Sequence, residues 1–252
     1  MNIQHIRNAT LKVDYAGKTF LIDPFLANKG AYPAFPNSAR QDQKNPLNDL
    51  PVSLDSIIDA DAVIVTHLHL DHWDDVAKEV LSKDMPLFTQ NEQDAQEIRN
   101  SGFQNVEVLQ EDTVFEGIQL IQTKGEHGRG PILEIAGSVC GVVFKHEDEK
   151  TLYIAGDTVW YEEVEKVIKQ HQPEVIVVNA GDNQFVEGGS LVMGAEDVLA
   201  VHQAAPAAMI LSVHMEAVNH WALSRTDLRT FADGHHFSSQ LIVPEDGERF
   251  VF

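Results

Sequence analysis

The chain has 252 residues, an ordinary composition with 43% hydrophobic residues, and a formal net charge of −21 at pH 7. This length supports one substantial core, and we expect a single domain over residues 1–252. The acidic charge argues against nucleic acids and anionic membranes as partners, and no apolar run approaches the roughly 18 residues of a membrane span.

The N-terminal segment and the single cysteine bear on location. Residues 1–8 lack the apolar centre of a secretory signal. Cys140 cannot form an internal disulfide, and its apolar run, 137–144, is typical of a strand in which it packs rather than reacts. We therefore expect a cytoplasmic protein that acts on a small molecule. The aromatic residues of the segment 25–55 permit a contact in a homo-oligomer.

Two strand-like segments, Ala9–Tyr15 and Thr19–Pro24, flank a short turn with Gly17 and predict a β-hairpin. Asp23 lies where the second strand ends at a proline. It has two interpretations: it caps the turn, or it orients a histidine that binds a metal.

Residues 25–55 have no usable periodicity and predict a long loop. Loops of this length inside a compact domain are usually functional or disordered. The loop forms either a plain surface segment or one wall of a substrate cleft, with Tyr32, Phe35 and Arg40 available for contacts.

The densest chemical signal follows the apolar run 61–66, which predicts a buried strand. It consists of His67, His69, Asp71 and His72. Imidazole and carboxylate groups are natural ligands of Zn²⁺ and similar divalent ions. Because residues two apart in an extended segment point the same way, His67 and His69 can bind one ion together. As the chain turns into a helix, Asp71 and His72 become available for a second ion.

Strand-like and helix-like segments alternate through the rest of the chain. Helices are predicted at Asp74–Lys83, Asn91–Ser101, Tyr161–His171, Ala195–Gln203 and Ser224–Ala232. Strands are predicted at Pro86–Thr89, Val106–Gln110, Thr113–Phe115, Ile118–Lys124, Ile132–Ile135, Val139–His146, Thr151–Ala155, Glu174–Asn179 and Met209–His214. A final strand pair, Gln240–Val243 with Arg249–Phe252, is predicted around Asp246. Strands followed by helices and further strands occur in both halves of the chain. This repetition indicates two sheets packed face to face with helices outside.

Three later strand ends carry an acid or an imidazole: His127, Asp157 in a Gly-Asp-Thr sequence, and His214. Each signal is weak alone, since a histidine at a strand end is more often a satisfied polar residue and Gly-Asp-Thr also suits a helix N-cap. Their order after the His-x-His-x-Asp-His motif makes them candidates for the same site.

This ordered set resembles the metallo-β-lactamase fold superfamily. Asp23 matches the first family motif, and the later motifs match in order His67 to His72, His127, Asp157 and His214. The resemblance spans essentially the whole chain and implies a mixed α/β (α+β) fold, the four-layer αββα sandwich. The compact length, the opening Leu-Ile-Asp-Pro and the Gly-Asp-Thr look like the L-ascorbate-6-phosphate lactonase-like branch.

The resemblance also implies a ligand set. One ion would be held by His67, His69 and His127. A second would be held by Asp71, His72 and His214, with Asp157 bridging both. A metal-bound water or hydroxide would then be the nucleophile, because a divalent ion lowers the pKa of its water towards about 7. We expect Zn²⁺, in two sites, while Mn²⁺ and Fe²⁺ accept the same ligands.

Residues around the last histidines depart from the lactonase pattern. Asp71, His214 and His220 are the candidate catalytic residues. The remaining candidates near the cleft are Glu216, His235 and His236 as supporting groups, and Lys124, Arg129 and Arg225 as anion contacts. Two divalent ions would outweigh the ligand carboxylates and a hydroxide, so a small anionic substrate is compatible with the acidic chain.

The function that follows is metal-dependent hydrolysis of an ester, lactone or phosphodiester bond in a small polar or anionic substrate. One alternative is a metal-bearing binding or sensing protein without turnover, although a complete ligand set argues against it. Another is a nucleic-acid phosphodiesterase, against which the charge of −21 weighs.

Overall fold

Two seven-stranded sheets and seven α-helices make up the computed structural model, which describes all 252 residues. In spatial order, the first sheet contains β16 (Arg249–Val251), β1 (Asn2–Arg7), β2 (Thr10–Tyr15), β3 (Lys18–Ile22), β4 (Ala62–Val65), β5 (Leu87–Thr89) and β6 (Val106–Val108). Strands β3 to β6 run parallel, and the other pairs are antiparallel.

The second sheet has the spatial order β15 (Leu241–Ile242), β14 (Met209–Val213), β11 (Val175–Asn179), β10 (Leu152–Ile154), β9 (Ser138–Lys145), β8 (Ile118–Glu126) and β7 (Val114–Phe115). Strands β10, β11, β14 and β15 are parallel neighbours. A separate hairpin consists of β12 (Gln184–Phe185) and β13 (Gly189–Ser190).

The helices are α1 (Leu54–Ile58), α2 (Asp75–Val80), α3 (Glu92–Asn100), α4 (Ile132–Ala136), α5 (Glu162–His171), α6 (Ala195–Ala204) and α7 (Arg225–Gly234), with a short 3₁₀ turn at Ser238–Gln240. No helix is both long enough and apolar enough to cross a membrane. The side chain of Asp74 begins α2 by accepting a hydrogen bond from the backbone N–H of Ala77 at 2.8 Å, which satisfies one of the free donors of the first turn.

Successive side chains of a strand point to opposite faces of the sheet. Each sheet therefore packs one face against the other sheet and the opposite face against helices. In β3, Phe20 and Ile22 join the core between the sheets, while Leu21 joins the core under α1, α2 and α3. In β11, Val177 lies between the sheets and Val178 lies under α5, α6 and α7. The result is the predicted arrangement of two sheets between outer helices.

Two predictions of local structure were wrong. The segment predicted as a strand at 132–135 is the helix α4, which packs through Ile132 against Leu191 instead of entering a sheet. The last two strands form, but β15 joins the second sheet and β16 the first, so they do not pair with each other. Strand β1, helix α1 and the β12–β13 hairpin were not predicted.

Candidate metal centre

The candidate site residues follow strands that end at one edge of the sandwich. Strands β3 and β4 are parallel neighbours, so their carboxyl ends meet where Asp23 and Thr66 lie. In the second sheet, His127 follows β8, Asp157 follows β10 and His214 follows β14. Although these residues are far apart in sequence, the fold brings them together.

Backbone conformation ends these strands sharply. Asp23 has φ of 45° and His214 has φ of 63°, values in the left-handed region that non-glycine residues adopt at a cost. Gly156, directly before Asp157, has φ of +70°, and a Cβ atom there would lie 2.4 Å from the carbonyl oxygen of Cys140. Only glycine therefore allows the chain to pass this point and place Asp157 in the cluster.

One group of potential ligands consists of His67, His69 and His127, whose ligand atoms all lie within 4.8 Å of one another. Nδ1 of His69 lies 3.3 Å from Nε2 of His127. Nε2 of His67 is buried and has no hydrogen-bond partner in the protein. An unpaired buried nitrogen facing two further imidazoles is the arrangement that a metal ion would satisfy.

A second group consists of Asp71, His72 and His214. Nε2 of His214 lies 3.2 Å from both Oδ2 of Asp71 and Nε2 of His72. Two imidazole nitrogens at this distance cannot both direct a lone pair to the other without an ion or a proton between them. The donor set therefore fits a second ion.

Asp157 lies between the two groups. Its Oδ2 atom is 3.1 Å from Nε2 of His72 and 3.7 Å from Nε2 of His214. The same oxygen is 3.6 Å from Nε2 of His127 and 3.9 Å from Nε2 of His67. This position, within reach of both groups, is the one expected of a bridging carboxylate.

Hydrogen bonds outside the ligand set hold the ligands in place, as metal sites require. Asp23 accepts a hydrogen bond from Nδ1 of His72 at 2.9 Å. Of the two roles expected for Asp23, turn capping or orienting a histidine, this contact supports the second. Asn8 donates to Oδ2 of Asp71 at 3.2 Å. Asn179 donates to Oδ1 of Asp157 at 2.5 Å, which leaves Oδ2 free for a metal.

Electrostatics favours positive charge in the centre of the cluster. Burial lowers the pKa of His72, but the adjacent carboxylates of Asp157 and Asp23 outweigh this effect and raise that pKa well above its usual range. Burial lowers the pKa of His67 well below its usual range and that of His69 to about 4. A neutral imidazole has a lone pair that can bind a metal ion. Metal binding at His72 would displace its proton.

The cavity above the cluster has a volume of about 160 Å³. The residues that line it from the cluster are His69, Asp71, His127 and Asp157. The other lining residues are Phe35, Pro36, Leu70, Ile135, Ala136, Phe185, Leu191 and His220. The walls are therefore apolar apart from His220, and they contain neither lysine nor arginine.

The predicted anion contacts do not line this cavity. Arg225 is buried in an ion pair with Glu216, with Nη1 and Oε2 3.0 Å apart, so neither reaches the cluster. Arg129 pairs with Asp197 at 2.9 Å, and Lys124 is exposed on β8. Arg225 and Arg129 are thus paired with carboxylates, whereas Lys124 is only exposed. None of the three lines the cavity, so the expectation that they bind an anion there was wrong.

The other candidate residues divide between the site and the surface. His220 lines the cavity, whereas His235 stacks on Phe231 at 4.2 Å between ring centroids, at the far end of α7. His236 is exposed beside it and does not line the cavity either. The assignment of His235 and His236 to the cleft was therefore wrong.

The loop 25–55 supplies one wall through Phe35. Its two other candidates have structural roles: Tyr32 stacks on Phe25, and the Arg40 guanidinium lies 3.8 Å from the ring centroid of Trp221. Asn219 anchors the loop because its Oδ1 atom accepts from the backbone N–H of Phe35 at 2.9 Å.

Sequence reasoning missed Asn8, Asn179, Asn183 and Asn219. A lone asparagine has no spacing pattern that separates a ligand-orienting role from an ordinary turn. The only available signal was position, and it applied to Asn179 alone, which ends the predicted strand Glu174–Asn179.

Comparison with known proteins connects this geometry to a family. Residues 18–215 match the model of the family described as beta-lactamase superfamily domain. The chain belongs to the metallo-β-lactamase superfamily. Among its relatives, the UPF0173 protein YddR of Bacillus subtilis is 63% identical over 254 residues, with 100% of each chain covered. A UPF0173 metal-dependent hydrolase of Azorhizobium caulinodans is 25% identical over 260 residues, with 99% of each chain covered.

Two solved structures are similar to the chain over its full length. The isothiocyanate hydrolase from Delia radicum gut bacteria is 43% identical with a TM-score of 0.96, and 100% of this chain and 99% of that chain are covered. A possible metal-dependent hydrolase from Veillonella parvula is also 43% identical, with a TM-score of 0.97 and the same coverage. With these relatives, the chain is a metal-dependent hydrolase, and the alternative of a sensing protein without turnover is not supported.

Proposed function

We propose that this protein hydrolyses a small, uncharged and largely apolar electrophile, with an isothiocyanate, R–N=C=S, as the substrate class. The observation that carries the proposal is the apolar wall over the His/Asp cluster. A similar protein, 43% identical over the full chain, is an isothiocyanate hydrolase. We further propose that the two ligand groups described above hold two divalent ions, with Zn²⁺ as the expected metal.

The cavity favours an uncharged head group. A phosphodiester would bring a negative charge, and sites that recognise phosphate usually surround it with arginine, lysine or backbone N–H groups. Here the walls outside the cluster are formed by side chains such as Phe35, Leu70 and Phe185. An isothiocyanate places no formal charge against these side chains. We therefore propose an apolar substrate in place of the polar or anionic substrate expected from the sequence.

The volume limits the substrate's size. At about 160 Å³, the cavity is below the range of roughly 300–1,000 Å³ that is common for drug-sized ligands. Ile135 lies at the cavity and is 74% exposed, so the cavity opens towards solvent beside an apolar side chain. A compact reactive group at the cluster and a short apolar substituent extending past Ile135 fit this shape.

The reaction balances as R–N=C=S + H₂O giving R–NH₂ and carbonyl sulfide. The water oxygen bonds to the central carbon, the carbon–nitrogen bond breaks, and both water protons end on nitrogen. Divalent ions in the site would supply Lewis acidity, lowering the pKa of water and polarising the electrophile.

Residues of the protein position the attacking water. Asp71 lines the cavity and lies 3.2 Å from Nε2 of His214, so we propose it as the carboxylate that holds a proton of the attacking water. Asp71 is buried, yet His72 and His214 outweigh that burial and hold its pKa well below the usual range, so the carboxylate is ionised. The apolar side chains of the wall offer bulk water few hydrogen-bond partners beside the electrophilic carbon.

The test compares four substrates on the purified, metal-loaded protein: benzyl isothiocyanate, phenyl acetate, δ-valerolactone and bis(p-nitrophenyl) phosphate. We expect the highest kcat/KM for the isothiocyanate and the lowest for the phosphodiester. A phosphodiester that is turned over fastest contradicts the proposal. An ester or lactone that exceeds the isothiocyanate keeps the uncharged class but removes the isothiocyanate assignment.

A matched pair of variants tests the apolar wall. Phe185→Lys places a cation in the cavity lining, and we expect kcat/KM for benzyl isothiocyanate to fall by about 10-fold or more, since apolar contacts are lost and a charge is buried. Val186→Lys is the control, because Val186 is the next residue, is 74% exposed and does not line the cavity. Equal activity of both variants would show that the wall does not contact the substrate.

A further inference from the structure

His220 is the only polar side chain in the cavity lining that does not belong to the metal ligand groups. It is 8% exposed and is held between two aromatic rings of the wall. Phe35 contacts it edge to face at 5.0 Å between centroids, and Phe185 lies nearly parallel to it at 6.4 Å. A buried imidazole in an apolar wall costs free energy unless a partner satisfies it.

Asn183 provides one such partner. Its Nδ2 atom donates to Nε2 of His220 at 3.3 Å, and Asn183 is itself 1% exposed. Because Nε2 accepts this hydrogen bond, the proton of a neutral imidazole lies on Nδ1. Asn183 therefore determines the tautomer of His220.

The pairing leaves unsatisfied atoms. Nδ1 of His220 is buried and has no hydrogen-bond partner in the protein, and Oδ1 of Asn183 has none either. Buried polar atoms without partners are rare, and each calls for a reason such as a missing ligand. Here one of them belongs to a ring that lines the substrate cavity.

The ring is also uncharged at neutral pH. Burial lowers the pKa of His220 to about 4 and outweighs the carboxylates of Asp71 and Asp157. A neutral imidazole adds no repulsion to two nearby divalent ions and can still donate one hydrogen bond. This property suits a group that interacts with a substrate beside a metal centre.

We propose that His220 is a substrate-contacting hydrogen-bond donor and that Asn183 is the positioning residue that keeps its proton on Nδ1. The proposal rests on the proposed function, since the recipient is the substrate atom that gains negative charge when water adds to the electrophilic carbon. In an isothiocyanate that atom is sulfur or nitrogen, and in an ester it is oxygen. The donor is not consumed, so the balance of the reaction is unchanged.

The experiment separates hydrogen bonding from shape. His220→Phe keeps an aromatic ring between Phe35 and Phe185 but removes both nitrogens, and His220→Gln restores a donor. We expect kcat to fall by about 10- to 100-fold in His220→Phe with KM nearly unchanged, because the bond strengthens as charge develops, and partial recovery in His220→Gln. Metal content stays at the wild-type level in both.

The control is His235→Phe, which makes the same substitution at an exposed histidine that stacks on Phe231 away from the cavity. We expect wild-type kinetics from it. Wild-type kcat in His220→Phe would overturn the proposal, and so would a loss of metal in that variant, which would make His220 a support of the centre instead.

The role of Asn183 is tested by the position of the imidazole proton of His220, which would not change if Asn183 only packed against the ring. Nitrogen-15 NMR of the imidazole should show the proton on Nδ1 in the wild type and a mixture of tautomers in Asn183→Leu. In Asn183→Asp, an added carboxylate stabilises the imidazolium, so the pH profile of kcat should contain one more titration between about 5 and 7 than the wild-type profile. A proton on Nε2 in the wild type would overturn the role of Asn183.

Failure of the proposed function is distinguishable from failure of this inference. If the protein hydrolyses phenyl acetate but not benzyl isothiocyanate, kcat of His220→Phe is compared with that of the wild type on the ester. A loss there supports the role of His220 while rejecting the isothiocyanate. An unchanged ester rate rejects the role of His220 whatever the natural substrate is.

Discussion

Oδ2 of Asp23 accepts a hydrogen bond from Nδ1 of His72 at 2.9 Å, and Nε2 of the same ring faces Asp157 at 3.1 Å. The carboxylate at the end of β3 therefore orients a histidine that follows β4. The same carboxylate accepts from the backbone N–H and the hydroxyl of Thr66, both at 2.7 Å. Asp23 thus connects the strand end to the candidate metal ligand.

This relationship predicts the effect of Asp23→Asn. The amide keeps the shape but removes the negative charge that holds the proton on Nδ1 of His72, so we expect metal affinity to weaken by about 10- to 100-fold. Competition with a chromophoric chelator measures it. Asp61→Asn is the control, since Asp61 is an exposed carboxylate at the start of β4. Equal affinities in both variants would remove the role of Asp23.

Metal stoichiometry tests the two ligand groups. Protein purified without chelators should contain about two equivalents by plasma mass spectrometry, and Asp71→Ala should retain about one, because only the second group loses a ligand. His69→Ala and Asp157→Ala should abolish hydrolysis while circular dichroism shows a folded chain. One equivalent in both wild type and Asp71→Ala would contradict a binuclear centre.

Anchoring of the loop 25–55 predicts an effect on stability. The fully buried side chain of Asn219 accepts from Phe35 and Asn45 and donates to Ser38 and Ala39. Asn219→Ala leaves several of these groups unpaired, and we expect a loss of about 2–4 kcal/mol in the free energy of unfolding. Urea denaturation measures it, with Asn28→Ala as the control because that exposed residue lies in the same loop. A loss below about 0.5 kcal/mol would show that the loop is held elsewhere.

Burial of His220 predicts a dependence of stability on pH. Its pKa is lowered to about 4 in the folded protein, against about 6.5 in an unfolded chain. Between these values the unfolded state binds more protons, so the stability that the neutral ring contributes above pH 6.5 is lost as the pH falls towards 4. The wild type should lose up to about 3 kcal/mol more than His220→Phe over this range in urea denaturation. Parallel curves for the two proteins would contradict it, and His235→Phe should follow the wild type.

The single cysteine gives a simpler prediction. Cys140 is 2% exposed within β9, and burial raises the pKa of its thiol. Thiolate is the reactive form, so we expect no labelling by a disulfide reagent in the native protein and one equivalent after denaturation. Rapid native labelling would show that the sheet opens at β9 or that the thiol is accessible.

Local sequence determined the parts of this protein that depend on near neighbours. The His-x-His-x-Asp-His motif follows a buried strand, so a metal site at its end could be inferred from strand periodicity and ligand chemistry alone. The β2–β3 hairpin and the helices α2, α3, α5, α6 and α7 were predicted within a few residues, because each has its own periodic pattern or cap. The order of strand ends, read against a known family, identified the remaining candidate ligands and the sandwich.

Only the tertiary structure decided the character of the cavity and the support of the cluster. Phe35 and Phe185 meet around His220 because Asn219 binds the backbone of residue 35 across 184 positions of sequence, and no local pattern encodes such a contact. Arg225 looked available in sequence, yet packing pairs it with Glu216. Polar residues acquire their roles from the groups that folding places beside them, which is why the metal ligands were readable from the sequence and the substrate-facing wall was not.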